Sequence, residues 1–241
     1  MKKLIINADD FGYSRAINFG IIDCFQHGVL SSATLMTNMP GAEHAAELAK
    51  ENSGLGVGVH LVLTCGEPIL KKHKTIVDVQ GRFRRLSFYE SAFNVDLDEI
   101  YDEWKAQIER FKSFGINPTH LDSHHHINTY KGIRDVFCQL AEEYNLPVRN
   151  NMGLPDHLCH PNRFEYYVEN VLKDEASIAN AFQAADSVEV MCHPGYLDKA
   201  VVEGSSYTYP RLDELELLTS DKVKQVLSNC KGVKLATFKS L

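Results

Sequence analysis

The stretch "GVGVHLVLT", Gly56–Thr64, reads as a strand with two unlike faces. Successive side chains in a strand point to opposite sides, so Val57, Val59, Leu61 and Leu63 share one face. Gly56, Gly58, His60, Val62 and Thr64 share the other. The bulky side suits a layer of covering helices, and the glycines suit a crowded interior. His60 therefore points inward, a costly place for an imidazole unless it is hydrogen-bonded or metal-bound.

Comparable short apolar runs occur at Leu4–Ala8, Ser32–Thr37, Leu55–Leu63 (which overlaps the stretch above), Thr119–Asp122, Pro147–Arg149, Ser187–Cys192 and Val233–Thr237. Between them lie amphipathic segments of helical length: Ser14–His27, Ala42–Glu51, Leu97–Phe114, Gly132–Tyr144, a stretch within Arg163–Ala185, and Asp221–Asn229. Ser14 is placed as an N-cap and Gly28 as a C-cap glycine. Leu97, Ile100, Tyr101, Trp104, Ile108 and Phe111 recur at three- and four-residue steps, which marks one helical face. Strand and helix alternating about seven times predict a parallel α/β sheet with crossover helices, and closure into a (β/α) barrel is favoured over an open sheet. No Pro/Gly/Ser-rich linker, repeat or low-complexity segment divides the chain, so residues 1–241 read as a single domain. Two excursions, Cys65–Asp96 and Gly195–Thr219, break the alternation and are expected to overhang the site.

Composition narrows the classes of partner. With 44% hydrophobic and 24% charged residues a full core can form, and a net charge of −7 argues against nucleic acid or an anionic membrane. The three apolar residues Leu4–Ile6 are too few for the core of a signal peptide, and no later run approaches a membrane span. Six scattered cysteines without a CxxC pair predict free thiols in a reducing cytoplasm.

Polar clusters stand at the C-terminal ends of four predicted strands: "NADDFG" (Asn7–Gly12), "GVGVHLVLT", "HLDSHHH" (His120–His126) and "VMCHPG" (Val190–Gly195). That edge is where parallel sheets build active sites. Alternation through "HLDSHHH" puts His120, Asp122 and His124 on one face and Leu121, Ser123 and His125 on the other. The inward row resembles a metal-binding His with supporting partners, of which at most one or two are ligands; His125 and His126 are expected to line the cleft or leave the sheet. Adjacent Asp9 and Asp10 should face opposite ways, one for metal and one for protons, and parity does not say which because the chain turns here. His193 stands at the sixth strand's end with Glu189 on the same parity, and Pro194-Gly195 turns the chain after it. One carboxylate and two histidines leave coordination positions open for water and substrate, which suits metal-assisted hydrolysis.

These motifs resemble those of the YdjC/ChbG-type carbohydrate deacetylases. "NADDFG", the "G-x-H-L-x-L-T" of Gly58–Thr64, "PTHLDSHHH", "EVMCHPG" and "YPRLDELELLTS" appear in that order over nearly the whole chain. The resemblance implies a deformed (β/α) barrel of about seven parallel strands, related to polysaccharide deacetylases. It also implies removal of acetyl groups from N-acetylated sugars in chitin degradation, with chitooligosaccharides, diacetylchitobiose and 6-phosphorylated forms as open alternatives. Asp10, His60 and His124 would be the metal ligands, Asp9 the general base and His193 the general acid. Arg149 and Arg211 would hold substrate oxygens or orient Asp9, with His120, Asp122, His125, His126 and Glu189 as further substrate-binding or supporting residues. The second metal histidine sits in "DSHHH" rather than the "HSxxHP" of polysaccharide deacetylases. One divalent ion is implied; two imidazoles suit zinc, manganese, cobalt or nickel, whereas the family is described with magnesium. A homodimer is the family's expectation. The other readings of the same ligands are a metal-dependent isomerase or epimerase, a phosphoesterase, and a sugar-binding regulator without turnover.

Overall fold

The computed structural model describes residues 1–241. Seven parallel strands form one sheet: β1 (Lys2–Phe11), β2 (Ser32–Leu35), β3 (Gly56–Leu61), β4 (Leu121–Ser123), β5 (Arg163–Glu165), β6 (Ser187–Cys192) and β7 (Val233–Leu235). The order is β4-β3-β2-β1-β6-β5, and β7 pairs with the first residues of β1. No ladder joins β4 to β5, so the sheet forms a curled, open barrel. The crossovers carry α1 (Arg15–His27), α2 (Ala42–Glu51), α3 (Leu86–Tyr89), α4 (Leu97–Ser113), α5 (Ile133–Tyr144), α6 (Val168–Val171), α7 (Glu175–Ala181), α8 (Lys199–Gly204), α9 (Tyr209–Thr219) and α10 (Asp221–Asn229). No helix is long and apolar enough to cross a membrane.

The two faces of β3 fall as alternation demands. Val57, Val59 and Leu61 join the hydrophobic core together with Trp104, Ile108 and Phe111 of α4. Gly56 and Gly58 face the barrel interior, where there is no room for a side chain. A methyl on Gly56 would come within 2.8 Å of Thr237 Cβ, and one on Gly58 would collide with the His120 ring and its carbonyl oxygen. Gly58→Ala is therefore expected to destabilise by about 1–3 kcal/mol through overpacking. Gly153→Ala, where a methyl meets open space, should stay within about 0.5 kcal/mol. Thermal unfolding of the two variants side by side checks this.

Two expected elements differ. Pro147–Arg149 forms only an isolated parallel bridge from Val148 to Leu121; Pro147 has no amide to donate, and the Val148 amide turns away to the Cys159 carbonyl. The sheet edge is supplied by β5, which begins the stretch read as helical; helix follows only at α6 and α7. Both excursions fold over the C-terminal rim and contain α3, α8 and α9. Gly28 does not take the left-handed cap conformation; its missing side chain lets α1 end against the Leu218 carbonyl.

Candidate metal and catalytic site

A cavity of about 830 Å³ opens at the C-terminal rim, lined by Asp9, Asp10, His60, His124, His193 and Arg211 and overhung by 85–87 and 203–207. The end of β1 supplies two adjacent carboxylates to one space because Asp10 is left-handed, with φ of 67°. The register with β2 shifts between Ala8 and Phe11, which breaks the alternation that would have sent Asp9 and Asp10 to opposite faces. Left-handed backbone at a non-glycine residue is strained, and such strain collects at functional sites.

Asp10 divides its two oxygens. Oδ2 accepts from Arg211 Nη2 at 2.6 Å. Oδ1 is buried without a hydrogen-bond donor, 3.1 Å from His124 Nδ1 and 3.6 Å from His60 Nε2. The His60 ring is fixed from behind by Asp122 Oδ1, 2.7 Å from its Nδ1, and Asp122 Oδ2 accepts from Thr34 Oγ1 at 3.0 Å. A carboxylate on the rear nitrogen of an imidazole is how a ligand's orientation and tautomer are set. The donor atoms of Asp10, His60 and His124 all lie within 4.8 Å of one another. An ion with ligand bonds of ~2.1 Å in tetrahedral array has donors roughly 3.4 Å apart, so the three residues fit a divalent cation. Asp9, His60 and Asp122 also cluster, but Asp9 and Asp122 are already taken by Arg149, and an ion there would have to displace a guanidinium.

Arg149 is fully buried and joins three carboxylates. Its Nη1 and Nη2 donate to Asp9 at 2.7 and 2.6 Å, Nη2 lies 2.9 Å from Asp122, and Nε donates to Glu189 at 2.8 Å. Asn7 Nδ2 adds a bond to Asp9 Oδ1 at 2.9 Å. Burial works against the charge of Asp9 and Asp10, yet Arg149 holds Asp9, and Arg211 holds Asp10, well below the ordinary carboxylate range. Burial would likewise lower His60, but Asp122 and the two aspartates push it up to about 9, surroundings that favour a positive charge at this point. Glu189 is pushed up to about 7 by burial, partly offset by Arg149.

The remaining residues divide by position. His124 directly follows β4, and His125 and His126 form a left-handed kink with φ of 57° and 51°. His125 contacts Thr64 Oγ1 at 3.0 Å, and His126 contacts Asn151 at 2.9 Å. His120 lies apart from the cavity, stacked on Phe238 at 3.6 Å and bonded to Thr119 at 2.8 Å, and burial keeps its ring neutral. His193 Nε2 is 3.9 Å from Asp9 Oδ2, with a quarter of its side chain exposed (25%). Its loop is pinned where Gly195 meets Gly20 of α1, leaving no space for a methyl on Gly20. Glu214 receives the His193 amide and, at 2.5 Å, the Tyr207 hydroxyl; the Tyr207 ring stands 5.3 Å from the imidazole. Asn7, Thr34, Tyr207 and Glu214 were not singled out from sequence. Glu214 lies three residues after Arg211, a spacing that shares one helical face once α9 is recognised.

Residues 3–229 match the YdjC-like protein family. The chain belongs to that family. Among curated relatives, a carbohydrate deacetylase of Clostridium beijerinckii is 42% identical, over 99% of this chain and 100% of the relative. A chitooligosaccharide deacetylase of Yersinia enterocolitica is 40% identical, over 98% of each chain. Among solved structures, a protein of Enterococcus faecalis V583, described there as a proposed cellobiose-phosphate cleavage protein, superposes with a TM-score of 0.89 at 34% identity, covering 99% of this chain and 98% of that one. Family membership therefore extends across the strands that carry Asp9, Asp10, His60, His124 and His193 as well as the overhanging excursions.

Proposed function

We propose that the chain is a metal-dependent hydrolase that removes the acetyl group from N-acetylated sugars of the chitooligosaccharide kind. The observation that carries this reading is the buried, donorless Oδ1 of Asp10 facing the free nitrogens of His60 and His124, with Asp9 and His193 across the same cavity. The names of the relatives support the substrate class.

In this reading Asp10, His60 and His124 hold one divalent ion, and two imidazoles favour zinc, manganese, cobalt or nickel over magnesium. When bound, such an ion polarises the amide carbonyl and acidifies a water beside it. Asp9, kept ionised and pointed by Arg149 and Asn7, takes the water's proton. Arg149 lowers the proton affinity of Asp9, which keeps it ionised and ready to accept. His193, reachable from the cavity, gives a proton to the departing sugar nitrogen as the C–N bond breaks, which leaves acetate and a free amine. The six free cysteines accord with a cytoplasmic location.

Acetate release is measured on mono-, di- and 6-phosphorylated N-acetyl sugars, with metal content determined on the same sample. Chelation is expected to abolish release and a returned divalent ion to restore it. Failure to free acetate from every sugar while isomerised or dephosphorylated product forms would replace this reading with one of the others.

A further inference from the structure

The rim beside the catalytic cavity carries an aromatic group that the chemistry above does not use. β5 ends at Glu165 at the same rim as His193, since β5 and β6 run parallel with Phe164 opposite Glu189 and Glu165 opposite Val190. The next two residues are Tyr166 and Tyr167, 45% and 63% exposed. Large aromatic rings left in water on a rigid rim are candidates for a ligand surface.

These rings are ordered by their neighbours. Tyr166 is held edge-to-face by Phe164, at 4.7 Å and 72°, and by His126, at 5.4 Å and 82°. Phe164 in turn lies under the Arg149 guanidinium at 5.0 Å, so the group is fastened to the residue that aims Asp9. His126 itself lines the cavity, and it makes the step from the catalytic space to Tyr166 continuous. Tyr207, which also lines the cavity, is already committed, its hydroxyl to Glu214 and its ring beside His193.

From this continuity we infer that Tyr166, backed by Phe164 and His126, forms a subsite for the second ring of a β-linked N-acetyl sugar whose first ring lies over the ion ligands. The inference deepens the proposed function and rests on it for the placing of the first ring. The C–H face of a pyranose matches an exposed phenol ring in shape and polarity, and a ring already locked by two neighbours loses little freedom on binding. The subsite makes the protein favour oligosaccharides over single sugars.

The test is calorimetric titration of the chelator-treated full chain with N-acetylglucosamine and its β-1,4-linked disaccharide and trisaccharide, which reads binding without turnover. Tyr166→Ala is expected to weaken disaccharide and trisaccharide binding roughly three- to tenfold, while monosaccharide affinity shifts less than about twofold. Tyr166→Phe, which keeps the ring, should restore the longer sugars' affinity, and matched melting temperatures would show that the fold is intact. Equal loss for all three sugars, no loss for any, or no disaccharide binding by the unsubstituted chain overturns the subsite. The acetate assay judges the deacetylase reading separately: oligosaccharide binding that depends on Tyr166 without acetate release would leave the subsite standing and remove the reaction.

Discussion

Arg149→Met is expected to be the most destabilising single change on the catalytic side of the fold. The guanidinium is fully buried and reaches Asp9, Asp122 and Glu189 at 2.6–2.9 Å. A methionine fills much of the volume but takes the guanidinium from Asp9 and Glu189 and leaves Asp122 with His60 alone. Breaking a buried ion pair from one side costs about 3–5 kcal/mol. For a domain of this length that lowers the melting temperature by on the order of 10 °C. Arg149→Lys should recover only part, because a single ammonium cannot present the fork that meets Asp9 with two bonds while a third nitrogen serves Glu189. Turnover in Arg149→Lys should fall by about 10²-fold, since Asp9 is no longer aimed. Differential scanning calorimetry on the two variants decides the matter. A melting temperature unchanged in Arg149→Met would mean that the carboxylates are neutral or solvated, and the charge network described above would be wrong.

The sequence made most of the strands legible, and at the exit from β1 it marked the turn without its handedness. Alternation in β3 predicted an inward His60 and a helix-facing Val57–Val59–Leu61 row because a strand with one crowded face must segregate small from large residues. The same rule does not assign Asp9 and Asp10, where the chain turns and Asp10 at φ 67° resets the alternation. The residues Asp9-Asp10-Phe11-Gly12 do signal a turn, since Asp and Gly tolerate left-handed backbone, but they do not say where each carboxylate then points. Pro147–Arg149 was read as a strand from its apolar character, but what fixes that segment is Arg149, whose partners Asp9 and Glu189 are 140 and 40 residues away. Such a network leaves no periodic trace. α9 shows the same limit from the other side. Its buried residues are Arg211, Glu214 and Leu218, so its inward face is largely charged and apolar periodicity could not reveal it. Charge on a buried face is sensible only against the partner it meets, here Asp10 and the His193 loop, which lies at the far end of the chain from β1.

Asp9 and Asp10 are neighbours in sequence, and substitution should nonetheless separate them completely. Asp9→Asn keeps the shape and still accepts from Arg149 through its one remaining oxygen, but it can no longer take a proton. Because Asp9 is committed to Arg149 and Asn7 rather than to the ion ligands, bound metal is expected to stay near the unsubstituted level while kcat falls by about 10²–10⁴-fold, the worth of a positioned general base. His60→Ala and Asp10→Asn remove a donor from the Asp10–His60–His124 group. Metal measured after dialysis should fall well below one ion per chain in both, and excess divalent ion should return part of the lost turnover in these two variants but none in Asp9→Asn. Asp10→Asn has a second consequence: Arg211, bonded to Asp10 Oδ2 at 2.6 Å, loses its counter-charge, so His60→Ala is the cleaner probe of ligation. The two measurements answer different questions. Near-normal turnover in Asp9→Asn would transfer the base role to another group, with His193, 3.9 Å away, the first candidate. Full retention of metal in His60→Ala would show that the ion is held elsewhere, and the Asp122–His60 pair would then be a buried polar contact of the barrel interior rather than a ligand with its support.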